Sequence, residues 1–234
     1  MRFQTPLQSG ILLRRYKRFL ADIRLADGRE ITAHCANPGA MLGLAESGHT
    51  VWVEPVFDPR RKLKFAWRLV ELGDGCFVGV DTSLPNRLAG KALMDQSIAE
   101  LAGYDTILPE QKYGEKSRVD FLLRQSNGPD AYVEVKSVTL SRTTGLAEFP
   151  DSVTLRGTRH LHDLANMARQ GHRAVLFFVV QRSDCTRLKV AGDLDPAYAA
   201  AMNDALAAGV EIISRAVHLT VDCATLKDSL LFEA

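Results

Sequence analysis

The chain has 234 residues, of which 46% are hydrophobic and 24% charged, and its formal net charge at pH 7 is +1. This length allows one large domain or two small ones, and either can bury a real core. No apolar run approaches the roughly 20 residues of a membrane span, and the first residues lack the apolar stretch of a signal peptide. The composition is that of an ordinary soluble protein.

The cysteines are few and far apart. They form no C-x-x-C pair and have no histidines at zinc-ligand spacing, and they lie at Cys35, Cys76, Cys185 and Cys223. The sequence therefore predicts reduced thiols in a cytoplasmic protein.

The positive charge is local. Residues 1–82 contain 12 Lys and Arg against 9 Asp and Glu, and the rest of the chain contains 17 against 19. Basic clusters of this kind supply the salt-sensitive phosphate contacts of DNA binding. The candidates for such contacts are Arg14, Arg15, Lys17, Arg18, Arg60, Arg61 and Lys62. Tyr16 lies within the first cluster and is either a stacking platform for a base or a half-buried residue of a solvated strand.

Short β-like runs separated by turn signals fill the first third of the chain. Asp27-Gly28 joins two alternating runs as a hairpin turn, and the predicted strands are Leu20–Leu25, Ile31–Cys35, Val51–Val56, Phe65–Leu72 and Cys76–Val80. Five such strands in about 70 residues predict a small barrel, of which the OB fold is one kind. The composition alone does not separate an OB barrel from an SH3-like one.

The segment Asn37–Leu42 reads N-P-G-A-M-L and follows the second strand of this hairpin. One interpretation is a turn that leads into a single helical turn. The other is a loop that approaches nucleic acid, where glycine permits close backbone contact and Asn37 donates a hydrogen bond.

An amphipathic helix is predicted from Leu88 to Ala102, ending at Gly103, and a strand from Ile107 to Tyr113. A hairpin then spans Ser117–Lys136 around the turn formers at Ser126–Pro129. In a hairpin centred on Asn127, Asp120 and Glu134 lie directly opposite each other and face the same side. Lys136 shares that side because side chains alternate along a strand.

Two carboxylates and an amine that converge in this way have two interpretations. Paired carboxylates hold Mg²⁺ or Mn²⁺ and leave positions open for water and phosphate, and a lysine beside them stabilises charge on the phosphate. Alternatively, Asp120, Glu134 and Lys136 form a cross-strand salt bridge on a solvated face. The short D-x(n)-E-x-K spacing does not decide between the two.

A loop is predicted over Leu140–Glu148, followed by a helix that opens at Pro150–Ser152, is capped by Asp151 or Ser152 and runs to about Gln170. Arg156, Arg159 and His160 fall within about one turn of this helix. They are either a phosphate clamp beside the metal or an exposed face with an Arg159–Asp163 pair.

A buried strand is predicted over Ala174–Val180. A helix is then predicted from Asp195-Pro196 to about Ala208, and a final strand over Val210–Ile213. The tail from Ala216 onward carries no recognisable motif.

Several segments together resemble the sugar fermentation stimulation protein family. They are C-A-N-P-G-A-M-L-G-L, D-T-S-L-P-N-R-L, R-V-D-F-L, Y-V-E-V-K-S-V-T-L and F-P-D-S-V-T-L-R-G-T-R-H-L, and they cover essentially the whole chain. The resemblance implies a mixed α/β protein. An N-terminal OB-like barrel, residues 1–82, precedes a PD-(D/E)XK nuclease-like domain of αβββαβ order, residues 83–234, and DNA binding is the associated activity. Val119 stands where the nuclease motif has its proline.

The resemblance also implies a role for Glu100, since an acidic residue of the helix before the hairpin often joins the metal site in the PD-(D/E)XK superfamily. The leading hypothesis is a DNA-binding protein with a Mg²⁺- or Mn²⁺-dependent nuclease site, acting on single- or double-stranded DNA. Its competitors are a non-enzymatic DNA-binding regulator of sugar metabolism, and an interaction module in which the triad is only a salt bridge.

Overall fold

The computed structural model describes residues 1–114 and 117–233, which form sixteen strands and three α-helices. No helix in this part of the chain is long and apolar enough to span a bilayer. The first strands in chain order are β1 Gln8–Tyr16, β2 Leu20–Leu25, β3 Glu30–Cys35, β4 Thr50–Pro55, β5 Phe65–Leu72 and β6 Cys76–Gly79.

These six strands form a closed barrel with one extra strand at its edge. They are hydrogen-bonded in the order β3-β2-β1-β4-β5-β6, and β3 also pairs with β5, which closes the barrel over β1 to β5. Alternate side chains of the strands fill the interior, among them Leu12, Ile23, Val51 and Trp67, all fully buried. The predicted strands are therefore confirmed. The first basic cluster, residues 14–18, covers the end of strand β1 and the turn that follows it.

The rest of the chain folds around a second large sheet. Its elements are α1 Leu84–Met94, β7 Thr106–Tyr113, β8 Ser117–Arg124, β9 Ala131–Val138, β10 Leu140–Thr143, β11 Gly145–Phe149, α2 Leu155–Arg169, β12 Arg173–Val180, β13 Cys185–Val190, α3 Pro196–Ala207, β14 Glu211–Leu219, β15 Ala224–Leu226 and β16 Leu231–Glu233. The main sheet has the order β15-β14-β12-β9-β8-β7, and β10-β11-β13-β16 form a smaller sheet.

The central strand β12 is buried on both faces, as its unbroken apolar sequence predicts. Phe177 belongs to the core that contains α1, whereas Phe178 belongs to the core that contains α2 and α3. Because side chains alternate, the same rule divides β9: Val133 and Val135 face α1, and Glu134 faces α2.

The predicted hairpin register is confirmed. Phe121 pairs with Val133 and Leu123 with Ala131, which places the centre of the hairpin at Asn127. The ladder between β8 and β9 ends at the Phe121–Val133 pair, although both strands continue beyond it. The two strands therefore separate just where Asp120 and Glu134 lie opposite each other.

Three secondary-structure predictions are wrong. The helix predicted from Leu88 to Ala102 begins at Leu84, because Pro85 is favoured in the first turn of a helix. It ends at Met94, and a separate 3₁₀ turn covers Ala99–Leu101. The segment predicted as a loop forms β10 and β11, which pair with each other and with β13. The tail, for which no motif was recognised, contributes β15, which pairs with the neighbouring strand β14, and β16, which pairs with the distant strand β13.

The helix predicted to begin at Pro150–Ser152 begins at Leu155, and Thr154 is its cap. The Thr154 hydroxyl accepts a hydrogen bond from the Gly157 N–H at 3.0 Å. Asp151 has another role: its carboxylate accepts a hydrogen bond from the Met41 N–H of the barrel at 3.0 Å. Gly39 is required beside it, since a Cβ there would lie 2.7 Å from the Asp151 carboxylate.

Candidate active site

Asp120 fills the gap that opens between β8 and β9. Its Oδ2 accepts a hydrogen bond from the Val135 N–H at 2.7 Å, in place of the backbone partner that the ladder no longer provides. Its Oδ1 accepts a hydrogen bond from the side-chain amide of Asn86, on the first turn of α1, at 2.6 Å. The carboxylate is therefore fixed from two sides at the end of the paired region.

Glu134 is almost completely buried, with 4% of its side chain exposed. Its Oε1 receives both the Lys136 ammonium, at 2.7 Å, and Nδ1 of His160. Its Oε2 is buried and has no hydrogen-bond partner among the described residues. The salt bridge between Lys136 and Glu134 exists, but it lies in the interior. The alternative to a metal site had placed this salt bridge on a solvated face of the sheet.

His160 faces Glu134 with Nδ1 and Arg156 with Nε2. Nε of Arg156 donates to Nε2 of His160 at 3.3 Å, so that nitrogen must be an unprotonated acceptor. The proton of a neutral imidazole then lies on Nδ1 and is donated to Glu134. Only 2% of His160 is exposed. His160 therefore supports Glu134, and the prediction that it lies on a nucleic-acid surface is wrong.

The electrostatics of the two carboxylates differ. Burial, and then the negative charge of Glu134, raises the pKa of Asp120 to about 6. Burial also acts to raise the pKa of Glu134, but the contacts with His160 and Lys136 outweigh it and hold that pKa below its usual range. The pair thus carries excess negative charge at neutral pH, which a cation would relieve.

This donor set fits a divalent cation. The unpaired buried oxygen of Glu134 is costly without a partner, and Asp120 lies opposite it across the opening between the strands. Hard oxygen ligands of this kind suit Mg²⁺, Mn²⁺ and Ca²⁺, and Mg²⁺ usually keeps several waters beside one or two carboxylates. Within residues 1–114 and 117–233, no three His, Cys, Asp or Glu side chains are grouped closely enough to hold a metal ion.

The prediction that Glu100 joins Asp120 and Glu134 is therefore wrong. Both carboxylate oxygens of Glu100 bind the Arg215 guanidinium, at 2.8 and 2.7 Å. Arg215 lies between Ile213 and Val217 on β14 and alternates in phase with them, on the face that packs against α1. Glu100 therefore lies against the face of the sheet that packs on α1, whereas Glu134 lies on the opposite face.

The first basic cluster is partly committed to internal contacts. Arg15 donates to the backbone carbonyls of Asn37 and Gly39 at 2.7 and 2.9 Å. It therefore holds the loop that contains these residues and is not available for the predicted phosphate contact. Arg14 pairs with Asp22 at 2.8 Å and covers the ring of Tyr16 at 4.8 Å. The Tyr16 hydroxyl also bonds Asp22.

The other predicted basic residues are exposed: Lys17, Arg18, Arg60, Arg61, Lys62, Arg156 and Arg159. Arg60 pairs with Asp58 of its own turn. The Arg159–Asp163 pair is not among the ion pairs of the described residues. Arg156 and Arg159 both lie in the first half of α2, and Arg156 contacts His160, which in turn contacts Glu134. Asn37 is 4% exposed and faces a cavity between the barrel and the second sheet.

Asn86 is a site residue that was not predicted. It belongs to the D-T-S-L-P-N-R-L segment, but the predicted helix begins only at Leu88, two residues after it. The signal that could have found it is Pro85, a residue favoured in the first helical turn. A helix that begins at Leu84 brings Asn86 to the hairpin.

Comparison with known proteins agrees with both parts of this architecture. Residues 83–223 match the family model described as the sugar fermentation stimulation protein RE domain, and residues 13–80 match the SfsA N-terminal OB domain. The barrel is therefore of the OB kind.

Relatives align over nearly the whole chain. A sugar fermentation stimulation protein homolog from Roseobacter denitrificans is 60% identical, over 94% of this chain and 94% of that protein. One from Caulobacter vibrioides is 49% identical, over 97% and 95%. The structure of Pyrococcus furiosus SfsA in complex with Ca²⁺ matches with a TM-score of 0.89 at 30% identity, over 100% of this chain and 98% of that one.

Proposed function

Because this chain belongs to the sugar fermentation stimulation protein family, we propose that it binds DNA and hydrolyses a phosphodiester bond with a divalent cation, Mg²⁺ or Mn²⁺. The second domain, from residue 83 onward, would be a nuclease of the PD-(D/E)XK type. One observation carries the proposal: the unpartnered buried Oε2 of Glu134 lies beside Asp120 where two strands separate. The Ca²⁺ in the related structure supports a divalent cation at such a protein.

Each residue of the site has a distinct role in this proposal. Asp120 and Glu134 would hold the cation, which polarises the phosphodiester and lowers the pKa of a bound water. Lys136 is a donor to Glu134 at rest, and its ammonium would stabilise the negative charge that develops on the phosphate. His160 and Asn86 hold the two carboxylates in place and would not touch the substrate.

The nuclease activity is tested by cleavage of labelled single- and double-stranded DNA with Mg²⁺, Mn²⁺ or EDTA. The matched variant is Glu134→Gln, which keeps the size of the side chain and removes its charge. We expect cation-dependent cleavage that disappears in the variant. Retained binding without cleavage under any cation would refute the nuclease and favour the non-enzymatic DNA-binding regulator.

Asn86 is expected to matter through Asp120. Replacing Asn86 by alanine removes the 2.6 Å hydrogen bond to Oδ1, and the loss of a support to a metal ligand typically lowers affinity or activity about 10- to 100-fold. The measurement is the Mg²⁺ concentration that gives half-maximal cleavage, which should rise. Asn127→Ala, at the exposed hairpin turn, is the control. An unchanged Mg²⁺ requirement in Asn86→Ala would remove Asn86 from the site.

The exposed arginines at the start of α2 are expected to contact phosphate. Each lost phosphate contact lowers the slope of log affinity against log salt by about 0.7–0.9. Arg159→Gln should therefore flatten the salt dependence of DNA binding, measured by fluorescence anisotropy in EDTA. Arg24→Gln, whose guanidinium pairs with Glu30 on the barrel surface, is the control. An identical slope for wild type and Arg159→Gln would contradict this contact.

A further inference from the structure

A cavity of about 290 Å³ lies between the OB barrel and the second domain. The barrel contributes Asn37 and Gly39 to its wall. The second domain contributes Ser137 near the end of strand β9, Thr139 just after it, Phe149 and Thr154. Its size is at the lower end of small-molecule pockets, which span roughly 300–1,000 Å³. It has room for one planar group and not for a base pair.

Two nearly buried polar side chains face this space with hydrogen-bonding capacity to spare. Asn37 is 4% exposed; its Oδ1 accepts from the Gly39 N–H at 2.8 Å, and its Nδ2 donates to no described residue. Thr139 is 7% exposed, and its hydroxyl likewise has no partner in the described part of the chain. Neither atom is among the fully buried polar atoms without a partner, so both reach the solvent of the cavity and are accessible to a ligand there.

The charges of the wall exclude a phosphate group. Asp151 lines the cavity together with Glu148, which is paired with Arg142 at 2.7 Å, and neither lysine nor arginine is among the described lining residues. Apolar surface from Phe149 and the exposed side chain of Val153 completes the wall. A neutral, flat ligand with hydrogen-bonding edges fits these properties, because its faces are apolar and its edges match an amide and a hydroxyl.

The cavity also adjoins the candidate active site along the chain. Ser137 follows directly after Lys136, and Thr154 caps the helix that carries Arg156 and His160. The cavity and the candidate active site therefore share strand β9 and the start of α2.

We infer that this cavity receives a single unstacked nucleobase of the bound strand, with Asn37 and Thr139 as hydrogen-bonding partners of its edge. The inference rests on the proposed nucleic-acid binding. Enzymes that act on nucleic acids hold extruded bases in pockets that combine hydrogen bonds to the base edge with apolar contacts. The Asn-Pro-Gly loop of the barrel would therefore act in base binding, whereas the basic residues contact phosphate.

The test uses short oligonucleotides in which 2-aminopurine replaces one base at a time, bound to the protein in EDTA so that no cleavage occurs. Each is used as a single strand and in a duplex that leaves the analogue unpaired. In at least one position we expect the analogue to become unstacked and severalfold less accessible to acrylamide quenching. An oligonucleotide of the same length without bases should bind about 5- to 100-fold more weakly.

Asn37→Asp is the decisive variant, since it keeps the acceptor for the Gly39 N–H and replaces the donor by a carboxylate. It should lose the protection from quenching, whereas Asn127→Asp, which adds the same charge at the hairpin turn, should retain it. Thr139→Val provides the same test if Asn37→Asp lowers the unfolding temperature.

DNA binding without protection at any position would overturn the base pocket and leave the proposed binding intact. Protection that persists in both cavity variants would overturn the assignment to this cavity, and absence of DNA binding would overturn both proposals.

Discussion

Asp120→Asn is expected to abolish divalent-cation binding and to lower cleavage by about 10³-fold or more, because a bound cation supplies several kcal/mol of charge stabilisation. The substitution keeps the size of the side chain and an oxygen that can accept from the Val135 N–H or from Asn86. Cation binding is measured by calorimetry with Ca²⁺ and cleavage with Mg²⁺.

The same variant separates the roles of the two domains. DNA affinity in EDTA should stay near that of the wild type, since the exposed basic residues are unchanged. The unfolding temperature without cation should not fall, because burial and the charge of Glu134 raise the pKa of Asp120 to about 6 and so disfavour its ionised form in the folded protein. Equal losses of cation binding and DNA binding would contradict this division.

Arg68→Met is expected to destabilise the protein by about 3–5 kcal/mol, the usual cost of leaving a buried charge without its partner. Arg68 binds Glu54 at 2.7 Å and also Asp81, and each of these carboxylates is only 5% exposed. The measurement is the free energy of unfolding in urea.

Arg24→Met is the matched control for this loss. Its pair with Glu30 is more than half exposed on both sides, and such pairs contribute about 0–1 kcal/mol. In Arg68→Met, Asp81 keeps its pair with Arg87 at 3.2 Å, so the loss falls mainly on Glu54. A loss of less than about 1 kcal/mol would show that water and the Gln4 and Thr5 N–H groups satisfy Glu54.

The Arg68 network also bears on the candidate active site. Asp81 accepts hydrogen bonds from the Ser83 N–H and hydroxyl, at 2.9 and 2.7 Å, immediately before α1 begins. The barrel strand β5 is thus tied through Arg68 and Asp81 to the helix turn that carries Asn86. Destabilising this connection should therefore also raise the Mg²⁺ requirement for cleavage.

Local patterns in the sequence determined the strands of the barrel and the hairpin. Alternation of apolar residues and the turn at Ser126–Pro129 were enough to place Asp120 opposite Glu134, because a hairpin register follows from its turn. The resemblance in C-A-N-P-G-A-M-L-G-L and Y-V-E-V-K-S-V-T-L was enough to identify the family. Both depend on residues that are close together in the chain.

The contacts between polar groups depend on the tertiary fold. Glu100 pairs with Arg215, His160 supports Glu134 from the buried face of α2, and Arg15 holds the Asn37 loop. Strands β11 and β16 also needed a distant partner, β13. These contacts join residues separated by tens to more than a hundred positions, and periodicity within one segment carries no information about them. Periodicity along the chain predicted the inward and outward faces of the barrel strands and the hairpin, whereas the packing of distant elements determined which charges are buried together.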